Sequence, residues 1–158
     1  MFRELRRKKN EIGLDEAKRL LKSERRGVLS MIGDEGYPYG VPLNYLYSEA
    51  EGKIYFHGAR EGHKVDSLRK CDKICFTVYG KEFSKEGEWA PYVQSAVVFG
   101  RCHMIINQDC AIKLARKLAE KYYPDKSLID EEIAKSGRTV QLFEIEIEHI
   151  SGKQIQER

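Results

Sequence analysis

The residues best placed to hold charge lie between Lys53 and Tyr79, in KIYFHGAREGHKVDSLRKCDKICFTVY. An apolar, β-prone run, Ile54-Tyr55-Phe56, stops at His57-Gly58, and a loop closed by Gly62 leads into His63-Lys64-Val65-Asp66-Ser67-Leu68-Arg69. Val65 with Leu68 and Lys64 with Leu68 have the i, i+3 and i, i+4 spacing of one or two helical turns. A second β-prone run, Ile74 to Tyr79, closes the unit. The order is therefore strand, glycine loop, helix start with an early lysine, strand. A helix N-terminus carries unpaired N–H groups and partial positive charge, so it suits a phosphate. Gly62 lets a ligand approach the backbone and Lys64 adds a point charge. The pattern predicts a seat for the phosphate of a phosphorylated cofactor. Neither GxxxxGK[ST] nor GxGxxG is present, so the unit is not a P-loop or a dinucleotide fingerprint.

The elements around this unit must form one domain, since 158 residues can build a core without staples. The net charge of +3 is mild and comes mainly from the first 26 residues. That balance does not resemble a nucleic-acid-binding domain. No apolar run approaches the ~20 residues needed to span a bilayer, and MFRELRRKKNEI lacks the apolar core of a secretory signal. The cytoplasm is the expected location. Cys71, Cys75, Cys102 and Cys110 show no CxxC spacing and read as buried thiols, with no metal site expected.

In chain order, the basic stretch Met1 to Asn10 reads either as a solvated tail or as an arm around a partner subunit. A helix is predicted from about Asp15 to Arg25, with Leu14, Ala17 and Leu21 on its apolar stripe. Val28 to Ile32, the turn Asp34-Glu35-Gly36 and Tyr39 to Tyr47 read as a hairpin. Pro42 gives no ladder N–H, which makes the second strand an edge or bulged strand and frees backbone groups near Leu43 and Asn44. Tyr37, Tyr39, Tyr45 and Tyr47 read as barrel packing. Gly80 to Pro91 is a long loop whose Trp89, the only tryptophan, reads as a cap over a site or an anchor on the barrel. A strand from Tyr92 to Ile106 follows, with a bulge or barrel corner at Gly100. Ala111, Leu114, Ala115, Leu118, Ala119 and Tyr122 define a helix capped by Asp109 and stopped by Pro124. A shorter helix runs from Ser127, its cap, to Ser136, and Phe143, Ile145 and Ile147 alternate with glutamates in a last strand. Six or so short-spaced strands, mostly hairpin-linked, predict a mainly β chain with α: a small, six-stranded antiparallel β-barrel with helices packed outside, which the resemblance given next makes a split β-barrel.

On the motifs LRRKKNEI, GYPYGVPLNYLY, IYFHGAREGHKVDSLRK, YVQSAVVFGR and ISGK, the chain resembles the flavin-binding split-barrel superfamily that includes pyridoxamine 5′-phosphate oxidase. Within it, the chain is most similar to the branch related to nitroimidazole-resistance proteins. The resemblance implies FMN as cofactor and a homodimer with the flavins at the subunit interface. It places the backbone of Val41, Pro42, Leu43 and Asn44 along the flavin ring, and His57 and Gly58 beside the ribityl-phosphate arm. His63 and Lys64 would take the phosphate, and Ser95 would bond the flavin from the next strand. The oxidase's C-terminal tryptophan and arginine motif is absent from the ending KQIQER, which argues against pyridoxamine oxidation. The implied activity is an FMN-dependent oxidoreductase: hydride arrives at flavin N5 from NAD(P)H or another reductant, and a small flat acceptor, a nitroaromatic by family analogy, is reduced. No side chain need act as acid, base or nucleophile, so no catalytic residue is assigned. A non-catalytic flavin or haem carrier is the alternative class.

Overall fold

A computed structural model describes all 158 residues. The elements in chain order are α1 (Leu14–Ser23), β1 (Arg26–Ile32), β2 (Pro38–Asn44), β3 (Leu46–Ser48), β4 (Lys53–Gly58), α2 (His63–Lys70), β5 (Lys73–Tyr79), β6 (Tyr92–Met104), α3 (Gln108–Tyr122), α4 (Lys126–Ser136) and β7 (Gln141–Gln156). The strands form one antiparallel sheet in the order β2-β1-β5-β6-β7-β4-β3. The sheet curls around a core that includes Leu29, Phe56, Phe76, Val98, Phe143 and Ile145, and so forms a split barrel. Seven strands replace the expected six because the predicted Tyr39–Tyr47 strand breaks at Tyr45. Its first part ends one edge of the sheet and its second part starts the other.

β2 is an edge strand, as Pro42 requires. The Gly33 N–H donates to Tyr37 O at 2.8 Å, and the register runs from Ile32↔Pro38 to Arg26↔Asn44. Antiparallel alternation then makes 31/39, 29/41 and 27/43 the hydrogen-bonded pairs. Pro38 and Pro42 both fall on the other pairs, where a missing N–H faces the free edge. The N–H groups of Gly40 and Asn44 point the same way. The bulge in β6 is also found, between Phe99 and Gly100. A Cβ on Gly100 would lie 2.2 Å from Glu146 O, so the strands close there only around a glycine.

Several local expectations are corrected. α1 ends at Ser23, and its buried residues are Ala17, Leu20 and Leu21, while Leu14 is exposed. Asn107, not Asp109, caps α3 by accepting from Cys110 N–H, and Asp125, not Ser127, caps α4 by accepting from the N–H groups of Ser127 and Leu128. In each case the residue just before the first turn wins because its backbone is extended while its side chain reaches forward. Only Cys102 is a fully buried thiol, and Cys110 is exposed. Tyr45 and Tyr47 are buried but Tyr37 is not. Trp89 is 83% exposed and neither anchors its loop nor covers a site within this chain. The N-terminal arm lies on its own chain, with Phe2 stacked on Phe99 and His149 at 5.4 and 4.8 Å between centroids.

α1 and α2 pack on the inner side of the sheet and join the main core through Ala17, Leu20, Leu21, Val65 and Leu68. α3 covers the other side of β4 and β7, where Ala111 and Leu114 meet Tyr55 and Leu142. The outer side of β2, β1, β5 and β6 is left without a helix. Register assigns it Pro42, Val28, Thr77 and Val97 in one row, and Gly40, Ser30, Cys75 and Phe99 in the next. None of these eight side chains is buried and none is charged. No helix of the chain is long and apolar enough to cross a membrane.

Candidate functional site

Lys64 stands in the first turn of α2, whose entry is set by Gly62 at φ +117°, a conformation that favours glycine. No side chain caps this helix, so its first N–H groups keep their free donors and partial positive charge. The lysine stem runs inward to the end of β4. There its Nζ lies 5.3 Å from the Phe56 ring centroid and 5.2 Å from that of Phe143. The two rings are a cross-strand pair, stacked at 4.9 Å with 2° between their planes, because Phe56 and Phe143 face each other across the β4–β7 ladder. Gly58 leaves the room: a Cβ there would lie 2.5 Å from Nζ.

The half-buried Lys64 has no carboxylate partner and no hydrogen-bond acceptor in the chain. Burial lowers its pKa, and the nearby Cys102 thiol opposes this only in part. The Cys102 thiol is itself pushed up to about 12, chiefly by burial, so it stays protonated and gives Lys64 no counter-charge at neutral pH. His57, at the end of β4, is open to solvent on one side. Its pKa is lowered first by desolvation and second by the Lys64 charge. The corner thus holds an unanswered ammonium and an uncapped helix start, while strand alternation turns the neutral His57 imidazole to the other face of β4, the one that carries Tyr55 and Leu142. An anion with several acceptor oxygens fits that donor set.

The other predicted residues are distributed differently. His63 stacks on Tyr39 at 4.0 Å, and its Nε2 lies 3.6 Å from Asp34 Oδ2, so it faces the β1–β2 turn and not the Lys64 ammonium. Val41 and Leu43 turn inward and pack against the core, while Pro42 and Asn44 lie on the open outer face. Ser95 is also on that face, opposite Tyr79 and Lys153. Its rung lies level with the Arg26 end of β1, roughly 20 Å along the strands from the Ile32 end. One chain therefore brings together Gly58 and Lys64, sets His57 beside them on the opposite face of β4, and leaves Ser95 apart. The Phe56–Phe143 platform was not expected from sequence. Phe56 was visible as a strand residue, but its pairing with a residue 87 positions away depends on the β4–β7 register.

Solved proteins share this architecture. A structure titled as a 5-nitroimidazole antibiotic resistance protein from Bacteroides thetaiotaomicron superposes with a TM-score of 0.78 at 19% identity, covering 92% of this chain and 87% of that one. An FAD-binding protein from Mesorhizobium loti gives 0.64 at 23% identity, over 92% and 96% of the two chains. A flavocytochrome from Azotobacter vinelandii gives 0.76 at 17% identity, over 95% of this chain and 71% of that one. At these identities the likeness is one of fold. No curated protein matches in sequence. The family model described as pyridoxamine 5′-phosphate oxidase matches residues 14–154, from the first residue of α1 almost to the end of β7. The chain belongs to the pyridoxamine 5′-phosphate oxidase family.

Proposed function

We propose that this chain is a flavin-dependent oxidoreductase that binds FMN between its open sheet face and a second copy of itself, and reduces a small flat acceptor of the nitroaromatic type. The observation that carries the reading is Lys64: a half-buried ammonium with no acceptor in its own chain, beside the uncapped start of α2. The FMN phosphate supplies the missing charge. Lys64 Nζ and the first N–H groups of α2 hold it, and Gly58 keeps the corner open. Two uncharged rows in the middle of the outer face, Pro42-Val28-Thr77-Val97 and Gly40-Ser30-Cys75-Phe99, offer a flat surface for a ring system, with the free N–H of Asn44 at its edge; the next row, which holds Ser95, also carries Arg26 and Lys153. A second copy is the occupant of that face that buries its apolar side chains. Structural relatives titled as FAD-binding, or as FAD- and haem-binding, support a flavin in this fold.

Flavin, when bound, supplies hydride and single-electron transfer. The chain's part is to anchor the phosphate, exclude water from the ring and set hydrogen-bond donors along its edge. The test is spectral and kinetic. The purified chain loaded with FMN should be yellow, sediment as a dimer, bleach with NADH or NADPH in the absence of oxygen faster than free FMN, and regain its colour when a nitrofuran is added. A chain that leaves the fluorescence of added FMN and FAD unchanged would sink the flavin reading. Tight binding with turnover no faster than free FMN would leave a carrier. A Soret band after incubation with haemin would favour haem, the cofactor named with FAD in one structural relative.

A further inference from the structure

At Tyr45 the chain leaves one edge of the sheet for the other, and a single side-chain hydroxyl parts the strands there. The β1–β2 register ends with Arg26↔Asn44, so Arg25 and Tyr45 would form the next hydrogen-bonded rung. Tyr122, the last residue of α3, takes that place. Its Oη accepts from Tyr45 N–H at 2.8 Å and lies 2.7 Å from Tyr45 O and 2.6 Å from Arg25 O, between which its one proton is shared. The preceding residue, Lys121, donates to Glu24 O at 2.6 Å and to Tyr45 O at 3.1 Å, with its Nζ 4.0 Å from the Tyr45 ring centroid. Tyr45 is fully buried, and its own hydroxyl donates to Leu21 O at 2.6 Å. Both backbone groups of the residue after Asn44 are therefore held by the end of α3. α3 is in turn fixed to β4 and β7 by the Ala111, Leu114, Tyr55 and Leu142 cluster.

We propose that Lys121 and Tyr122 form a positioning clamp for the Val41–Asn44 edge, fixing where Asn44 leaves the ladder and aiming its free N–H at the bound flavin. This rests on the flavin reading above. As packing alone, the lysine is a poor choice. It has no carboxylate partner within ion-pair reach, and burial pushes its pKa down to about 8, the Arg25 charge adding to the shift and Glu24 opposing it. The charged and titratable groups facing it are Glu24 and Arg25 beyond α1, Tyr45 between β2 and β3, and Tyr122 beside it on α3. Its two carbonyl contacts are what the position provides, and both lie on the segments that flank the break.

The test compares Tyr122→Phe and Lys121→Met with Leu118→Val, a loss of packing in the same helix that leaves the clamp intact. FMN affinity is read by titration, the flavin environment by its visible spectrum, and folding by thermal unfolding of the chain without ligand. The two clamp variants should bind FMN roughly three- to tenfold more weakly, the worth of one hydrogen bond, and shift the flavin absorption band. Leu118→Val should change affinity less than about twofold at a similar loss of Tm. Affinity for riboflavin, which has no phosphate to report on Lys64, should fall in the wild type through pH 8 and stay flat in Lys121→Met. Clamp variants that bind like Leu118→Val, with an unshifted band, overturn the proposal. Should Tyr122→Phe fail to fold, the band shift and flat pH profile of Lys121→Met decide it alone. Wild-type chain that binds neither FMN nor FAD overturns both this inference and the flavin reading.

Discussion

Lys64→Met separates a phosphate anchor from a packing residue. Methionine keeps an apolar stem over Phe56 and Phe143 and removes only the charge. A hydrogen bond to a charged group contributes about 1.5–3 kcal/mol, so FMN affinity should fall roughly ten- to a hundredfold. Riboflavin, which has the same ring and no phosphate, should bind wild type and variant alike. The unliganded chain loses a cation–π contact worth about 0.5–2 kcal/mol but escapes the burial of an unpaired cation, so its stability should change by less than about 1 kcal/mol. pH gives a second axis. Burial lowers the Lys64 pKa, so the folded chain sheds this proton before the unfolded chain does. Between the lowered value and the ordinary lysine value of 10.5 the unfolded state holds more protons, and stability rises with pH. Over the same window FMN affinity should fall, because the ammonium that binds phosphate is lost. Quenching of flavin fluorescence, titrated with FMN and riboflavin across pH, reads the affinities, and urea unfolding of the unliganded chain across pH reads the stability. Equal losses for both ligands, or FMN affinity unchanged in Lys64→Met, would refute the assignment.

Three further outcomes follow from the same geometry. Gly58→Ala sets a Cβ 2.5 Å from Lys64 Nζ, the mobile end of a side chain, so the fold should survive while FMN affinity drops and riboflavin binding does not; the two titrations check it. Gly100→Ala meets the backbone carbonyl of Glu146 at 2.2 Å, where nothing flexible can yield, and should cost about 1–3 kcal/mol in urea unfolding. Val97→Glu places a charge in the middle of the open face, across from Thr77 and Ser151, and should leave a folded monomer by sedimentation; a dimer of unchanged affinity would remove the interface from this face.

The fold was legible where one residue type has one mechanical consequence. Pro42 marked an edge strand because a missing N–H cannot serve an interior ladder, and Gly100 marked a bulge because the strands approach too closely for a Cβ. The start of α2 was legible for the same reason, since Gly62 takes a φ that other residues avoid. The break at Tyr45 was not. Nothing in Asn44-Tyr45-Leu46 disfavours a strand, and its cause is a hydroxyl 77 residues away. The caps were misplaced by two residues because aspartate, asparagine and serine cluster at the helix starts, and only the backbone decides which one reaches forward. The resemblance set His63 with Lys64 on the phosphate; a side chain one residue along a helix points about 100° away, and here it faces Tyr39 and Asp34.

The two half-buried lysines sharpen the functional reading when set side by side. Both lie against aromatic rings, both lack a carboxylate partner, and burial lowers the pKa of each. Lys121 has its N–H groups answered inside the chain, by Glu24 O and Tyr45 O, and so its role is complete without a ligand. Lys64 has only ring faces. A cation–π contact answers the charge in part but gives its N–H donors no lone pair in line, and a buried charge is tolerated when it is both paired and hydrogen-bonded. The same local chemistry therefore assigns opposite roles: Lys121 closes a gap in the fold, and Lys64 leaves one that an anion from outside completes. Exchange of the two responses is the decisive contrast. Lys64→Met should lose FMN and keep riboflavin, whereas Lys121→Met should weaken both, since an edge out of position affects the ring whether or not a phosphate is attached.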